Sequence, residues 1–494
     1  MTSQNETDRK ILIVTCQPLP QAGQPATGGA IRAHALGEAL KERGHTVLYS
    51  IPEQCCTNNK DNGPIPRDLA HNVKDLDQII EKAGPDIVLF CNWGLAGEAL
   101  ECGLPVVIDM NGSLVLENYY RQRGKILEDS LAKIEAVSKA DFLMAGSENQ
   151  KSYLTSWCLL AGFKPEDIAI GIVPFSLSPD IPQAESTGQI EFILAGHDWP
   201  WLNGRDYIHT VCDELDKAQQ GILHVYSSRP PYVDVFNEEN SATDAKGLLQ
   251  NQKMARLLNH GPVDFDTLTA ELGKASVALD LWQRNPEREL AIPSRVVAYL
   301  WAGLPVITSD YGEMAKLIKQ YDAGWIIEEN NHQQLREVIG KILRMAPSEL
   351  AIYKENAGRL FADHFAWNKT IGPLDQFCRL PKHNRAPSSL TAKFYYYQRL
   401  ALELQNQLEN REQNHHVTTG GSAQPPTKYA NSKSDAELMG RVHRRPRGLE
   451  LAIKPARILR GLKRTFIGIP VLSYLTVLIL TGHFLHILRI RLGR

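Results

Sequence analysis

The chain has 494 residues, 43% hydrophobic and 22% charged, with a formal net charge of -2. That length exceeds one ordinary core and predicts two globular domains with added segments, and the composition excludes a disordered or multi-span chain. The near-neutral balance gives no reason to expect nucleic acid as a partner, although the last fifty residues are strongly basic and read as a surface-binding tail. The 8 cysteines form no CxxC pair, zinc spacing or disulfide framework, so reduced thiols are expected. Met1 to Lys10 is polar and lacks the apolar core of a signal peptide, which predicts that the globular part stays in the cytoplasm.

Short apolar runs alternate with helical stretches from residue 10 onward. Strands are expected at 11–15, 46–50, 86–90, 105–109, 142–145 and 170–174, with an amphipathic helix at 30–43. Continuous apolar strands separated by helices imply a parallel sheet covered on both faces. A Ser- and Pro-rich stretch at 176–187 reads as a linker. A second series follows, with strands expected at 192–195, 223–227, 277–281, 305–309 and 324–327. The fold class is therefore α/β: two Rossmann-like domains, 10–178 and 188–380, facing a cleft that lies at the carboxyl ends of their strands. Leu390, Phe394, Tyr397, Ala401, Leu404 and Leu408 fall at heptad spacing, so 388–412 reads as a helix that either forms a coiled coil or docks on its own domain. A flexible linker is expected at 413–440, and a basic, hydrophobic, helical tail at 441–494.

Several loops carry residues suited to chemistry. After the first strand, Gly28 and Gly29 stand ahead of a helix containing Arg32, an arrangement that lets backbone N–H groups approach an anion. No GxGxxG accompanies them, which argues against a dinucleotide fingerprint. Asp109, at a strand's end before Asn111-Gly112, reads either as a carboxylate that binds a hydroxyl or takes its proton, or as a turn residue. In the second half, Pro293 and Ser294 start a helix that Gly303 caps. Arg295 in its first turn would meet a diphosphate together with the macrodipole. Near the start of the second domain, His197, Asn203 and Arg205 lie in the loop after the first strand. Ser309 to Glu313 follow a later one, where the backbone around Gly312 offers N–H donors and Glu313 reads either as a site acid or as an ordinary first-turn helix acid.

These stretches resemble the glycosyltransferase family 4 group, which has the GT-B fold. The likeness runs over roughly residues 10 to 370. It is carried by the opening strand, Gly28-Gly29, Arg43-Gly44-His45-Thr46-Val47, and Ala302-Gly303-Leu304-Pro305-Val306-Ile307. The resemblance implies a metal-independent, retaining enzyme that moves a sugar from a nucleoside-diphosphate sugar to a hydroxyl acceptor, with no cofactor. It implies donor contacts at Gly28, Gly29, His197, Asn203, Arg205, Glu287, Ser294, Gly312 and Glu313, and a catalytic set of Asp109, Glu289 and Arg295. The family's paired glutamates are altered here. The position of the second, on the nucleotide ribose, holds Ala298, and the first falls beside Glu289 and Glu287, either of which would meet the donor sugar. The altered pair also admits a catalytically inactive, membrane-tethered scaffold of the same fold.

The tail completes the expectation. Residues 466–488 carry no Asp, Glu, Lys or Arg, about the roughly 20 residues that a helix needs to cross a bilayer core. Nine Lys and Arg residues between Arg441 and Arg464 precede it and would favour anionic lipid on the cytoplasmic leaflet. Arg489, Arg491 and Arg494 follow, so a span and an in-plane anchor are both open. The expected setting is the cytoplasmic face of a membrane, with a glycan or lipid-linked acceptor in cell-surface glycan synthesis.

Overall fold

The computed structural model describes residues 8–56, 69–72, 75–96, 103–110, 112–121, 126–182, 189–197, 199–228, 255–384, 397–398 and 401. All of them lie in the compact unit spanning Met1–Asn414. Each strand anticipated from an apolar run is present. The first six are β1 (Lys10–Val14), β2 (Thr46–Ser50), β3 (Ile87–Phe90), β4 (Val106–Asp109), β5 (Phe142–Ala145) and β6 (Ile170–Ile172). They form one parallel sheet in the order β2-β1-β3-β4-β5-β6. The second sheet holds β7 (Glu191–His197), β8 (Ile222–Ser228), β9 (Leu257–Asn259), β10 (Val277–Asp280), β11 (Val306–Ser309) and β12 (Gly324–Ile327). It too is parallel, in the order β12-β11-β10-β7-β8-β9. Strand β9 was not anticipated, because its three residues lie at the sheet edge and two are exposed, leaving no apolar run to read.

Most strands hold runs of consecutive apolar residues because both faces of each sheet are covered. In the first sheet, Leu12, Val14, Val88, Phe90, Val106 and Ile108 face one core. Their neighbours Ile11, Ile13, Ile87, Leu89 and Val107 face another, as a period of two requires. The second sheet repeats the pattern, with Ile193, Ala195, Ala278 and Val306 on one side and Phe192, Leu194, Val277, Leu279 and Ile307 on the other.

The chain crosses between the domains twice, and the crossings are tied together. The Leu177 N–H donates to the Phe365 carbonyl (3.1 Å), and the Trp367 N–H donates to the Leu177 carbonyl (2.9 Å). Beyond this point Ile371, Leu374 and Cys378 join the core of Ile11, Ile13 and Leu36. His45, at the corner before β2, meets Asp375 at 2.9 Å. The helix Gly372–Arg379 thus closes the first domain. The expected linker 413–440 and tail 441–494 lie outside the described residues, as does most of 388–412. No helix among the described residues is long and apolar enough to cross a membrane.

Candidate functional site

Strand order reverses between β1 and β3 in the first sheet and between β7 and β10 in the second. Open α/β sheets bind ligands outside the carboxyl ends of strands at such reversals. The loops after β1, β7 and β10 converge there, around a solvent-open cavity of about 780 Å³. Pro25, Ala26, Gly28 and Ile31 line it from the first domain, and Gly196, Ser294, Arg295 and Ala298 are among those lining it from the second.

Two helices begin at this cavity. Gly28 opens the helix Gly28–Glu42, whose cap Thr27 accepts from the Ala30 N–H at 3.2 Å. Ser294 opens the helix Ser294–Trp301. A Cβ placed on Gly28 would stand 2.6 Å from Ser294 Oγ, so the two N-termini meet. Their positive dipole ends repel one another unless an anion lies between them, and first-turn N–H groups supply ready donors for one. Arg295 adds a full charge. Its Nη2 donates to the His197 carbonyl (3.1 Å), and its guanidinium lies 5.0 Å over the Trp282 ring. Gly196 makes that seat: at φ +112° it has no Cβ, and one built there would fall 3.1 Å from Arg295 Cζ.

A buried charge cluster adjoins Arg295. Asp280, at the end of β10, accepts from the Trp282 indole N–H (2.7 Å) and from Arg288 Nη2 (3.1 Å), and its Oδ1 stands 4.0 Å from Arg295 Nε. The short helix Pro286–Leu290 carries Arg288 and Glu287. Its cap Asn285 accepts from the Arg288 N–H (3.1 Å) and donates to the Trp201 carbonyl (2.9 Å), which fixes the helix against the loop after β7. Glu287 is 5% exposed, and its Oε2 has no hydrogen-bond partner. Burial pushes this carboxyl up to about 7; Arg288 and Arg295 pull it down, while Glu117 and Asp280 push it further up. A buried, unpaired oxygen of this kind is costly unless a ligand completes it.

The other expected residues fall in varied places. Glu289 lies on the exposed side of the same short helix and pairs with Arg284, away from the buried cluster. Asp109 is held by Arg32, which donates through Nε (2.5 Å) and Nη2 (2.9 Å) to its two oxygens and also to the Val173 carbonyl (2.7 Å). With both oxygens engaged, this carboxylate joins the first helix to β4. His197 lines the cavity and approaches the Ala26 carbonyl at 3.3 Å. Asn203 donates to Gln283 (2.8 Å), and Arg205 is exposed at the start of its helix. Gly29 adjoins Gln17, and Gly312 adjoins the Arg288 carbonyl. Glu313 accepts from the Asn149 N–H, so it caps a helix of the first domain. Asn111 lies outside the described residues.

Residues 291–359 match the family model described as glycosyl transferases group 1. This segment contains the Ser294–Trp301 helix, β11 and β12. The fold is similar to sucrose-phosphate synthase from Thermosynechococcus elongatus (TM-score 0.56, 14% identity, 75% of this chain and 98% of that one). It is also similar to HepE of Anabaena, solved with UDP-glucose (TM-score 0.52, 13% identity, 75% and 100%). A third likeness is to WaaG, a glycosyltransferase involved in lipopolysaccharide biosynthesis (TM-score 0.50, 16% identity, 75% and 100%). The chain has the GT-B fold, and its second domain carries a segment matching the glycosyl transferases group 1 model. No curated protein matches this chain by sequence.

Three features of the site escaped the sequence reading. Asp280 ends a strand as Asp109 does, and the same signal would have found it. Arg288 sits inside the motif around Glu287 and Glu289, but its burial depends on the short helix packing inward. Arg121 of the first domain lies 4.8 Å over the Trp199 ring and 5.3 Å over Trp201, a contact between residues distant in sequence that no local pattern announces.

Proposed function

We propose that this chain is a glycosyltransferase that moves a sugar from a nucleoside-diphosphate sugar to a hydroxyl acceptor, with retention of configuration, in cell-surface glycan synthesis. The observation that carries the reading is the meeting of two helix N-termini beside Arg295 at one cavity. A diphosphate between them would receive backbone N–H donors from two helices and a guanidinium. These groups are fixed before reaction and aimed where negative charge grows as the bond from the sugar to phosphate breaks, so they lower the barrier without reorganising. In this reading they supply the charge that a metal would otherwise bring.

Glu287 would accept a hydroxyl of the donor sugar on its unpaired oxygen, next to the diphosphate. Asp109 would fix the first helix through Arg32 rather than take a proton. The basic segment before residue 466 and the uncharged stretch after it support placement on the cytoplasmic face of a membrane, near a lipid-linked acceptor. Loss of membrane sedimentation on removal of residues 440–494 is the expected result for that part.

The donor reading is tested by thermal unfolding of the full chain with UDP-, GDP- and dTDP-sugars. Saturation at about a hundred times Kd should stabilise the protein by about 2.7 kcal/mol. A Tm unmoved by every donor would contradict it.

A further inference from the structure

The helix Leu114–Tyr120 follows β4 and packs against the Pro286–Leu290 helix of the second domain. Tyr120 rests on the second-domain core that holds Trp201, Leu281 and Trp282, and Arg121 covers Trp199 and Trp201. Glu117 lies on this helix, and its charge reaches Glu287 across the seam. Among the described residues its side chain accepts no hydrogen bond, and Arg121 Nη2 stands 3.6 Å from Oε2. Its Oε1 lies against Gly112, which at φ +95° has no Cβ; one built there would fall 2.9 Å from that oxygen. One residue on, the Ser113 Oγ is buried and also has no partner. Burial raises the Glu117 pKa, while Arg121 and Lys133 lower it. Asp109, the strand-end carboxylate of the same domain, is not available, because Arg32 takes both its oxygens.

Two poorly solvated carboxyls that face each other across a seam repel, and each is costly while its oxygens lack donors. Positive charge is already present on both sides, from Arg121 beside Glu117 and from Arg288 and Arg295 near Glu287. What the pair lacks is neutral donors. A carboxylate has two oxygens side by side, and the two O–H groups of a vicinal diol can donate to both at once. A molecule with one isolated hydroxyl would satisfy only half of that capacity. We infer that Glu117 binds the acceptor: its carboxylate takes two neighbouring hydroxyls of a sugar and presents one of them to the donor sugar on Glu287. The inference rests on the proposed reading of the site as that of a nucleoside-diphosphate-sugar transferase.

The test uses the full chain with the nucleotide sugar that binds it. Octyl pyranosides of glucose, galactose and mannose serve as acceptors, with cyclohexanol as an alcohol that has no diol. The expected result is transfer to at least one pyranoside and none to cyclohexanol. Glu117→Gln should raise the pyranoside KM by roughly ten- to a hundredfold, as loss of a hydrogen bond to a charged group implies, and leave donor affinity unchanged. Glu117→Asp keeps the charge on a shorter arm and should recover part of that loss. A normal KM in the folded Glu117→Gln protein, or donor affinity lost with it, would overturn the inference. So would equal use of cyclohexanol, or no pyranoside accepted by a chain that binds its donor. A chain that binds no nucleotide sugar would instead overturn the reading beneath it. The facing of the two carboxyls is tested without any ligand. In a Glu117→Gln background, Glu287→Gln should raise the Tm at pH 8 by less than it does alone. An equal rise would separate the two groups and remove Glu117 from the site.

Discussion

Glu287 is a carboxyl that the fold holds against its own interest. Its pKa is raised from 4.5 to about 7, first by burial. A raised acid pKa means the folded state binds the proton more tightly than the unfolded one. The associated stability is complete below about pH 4.5 and is lost as pH rises through 7. Ionised, the group costs roughly 3 kcal/mol relative to solvent, from 1.36 kcal/mol per pKa unit. Glu287→Gln should therefore raise the Tm more at pH 8 than at pH 5, while impairing sugar transfer. Equal Tm shifts at the two pH values would contradict the buried-carboxyl account. The sequence could not choose between Glu287 and Glu289, because two positions apart on a helix lie on nearly opposite faces. Only the packing of the Pro286–Leu290 helix decides which of the two is buried.

At the scale of elements, local chemistry made most of the fold legible. Apolar runs marked eleven of the twelve strands among the described residues, and Gly28-Gly29 and Pro293-Ser294 marked the two helix starts. What the sequence could not show was that these starts meet, or that Arg32 takes the strand-end Asp109. Both facts depend on residues brought together from distant parts of the chain. The meeting point makes a sharp prediction. Gly28→Ala improves intrinsic helix propensity by up to about 1 kcal/mol, yet its Cβ would press on Ser294 Oγ. Stability should hold while kcat/KM falls at least tenfold, an effect of about 1.4 kcal/mol on the transition state. Adding Ser294→Ala removes the clashing oxygen and should recover much of that loss. A single Gly28→Ala variant with normal kcat/KM would show that the helix starts do not need to approach this closely.

Across the whole molecule, the domains are joined by a few contacts of modest strength. Arg121 rests over Trp199 and Trp201, the Gly23 N–H donates to Asp264 (2.8 Å), and Glu313 reaches the Asn149 N–H. A cation–π contact of this kind contributes about 0.5–2 kcal/mol, so the linkage leaves domain movement as the default for donor entry and product release. The central claim is that the cavity between the domains stabilises a departing diphosphate through Arg295 and two helix starts. Release of nucleoside diphosphate from a panel of nucleotide sugars, measured with the full chain and its Arg295→Ala variant, tests this most directly. The account predicts release from at least one donor, and a fall of roughly a hundredfold, about 3 kcal/mol, in a folded Arg295→Ala protein. Release from no donor, or an undiminished rate in the variant, would contradict it.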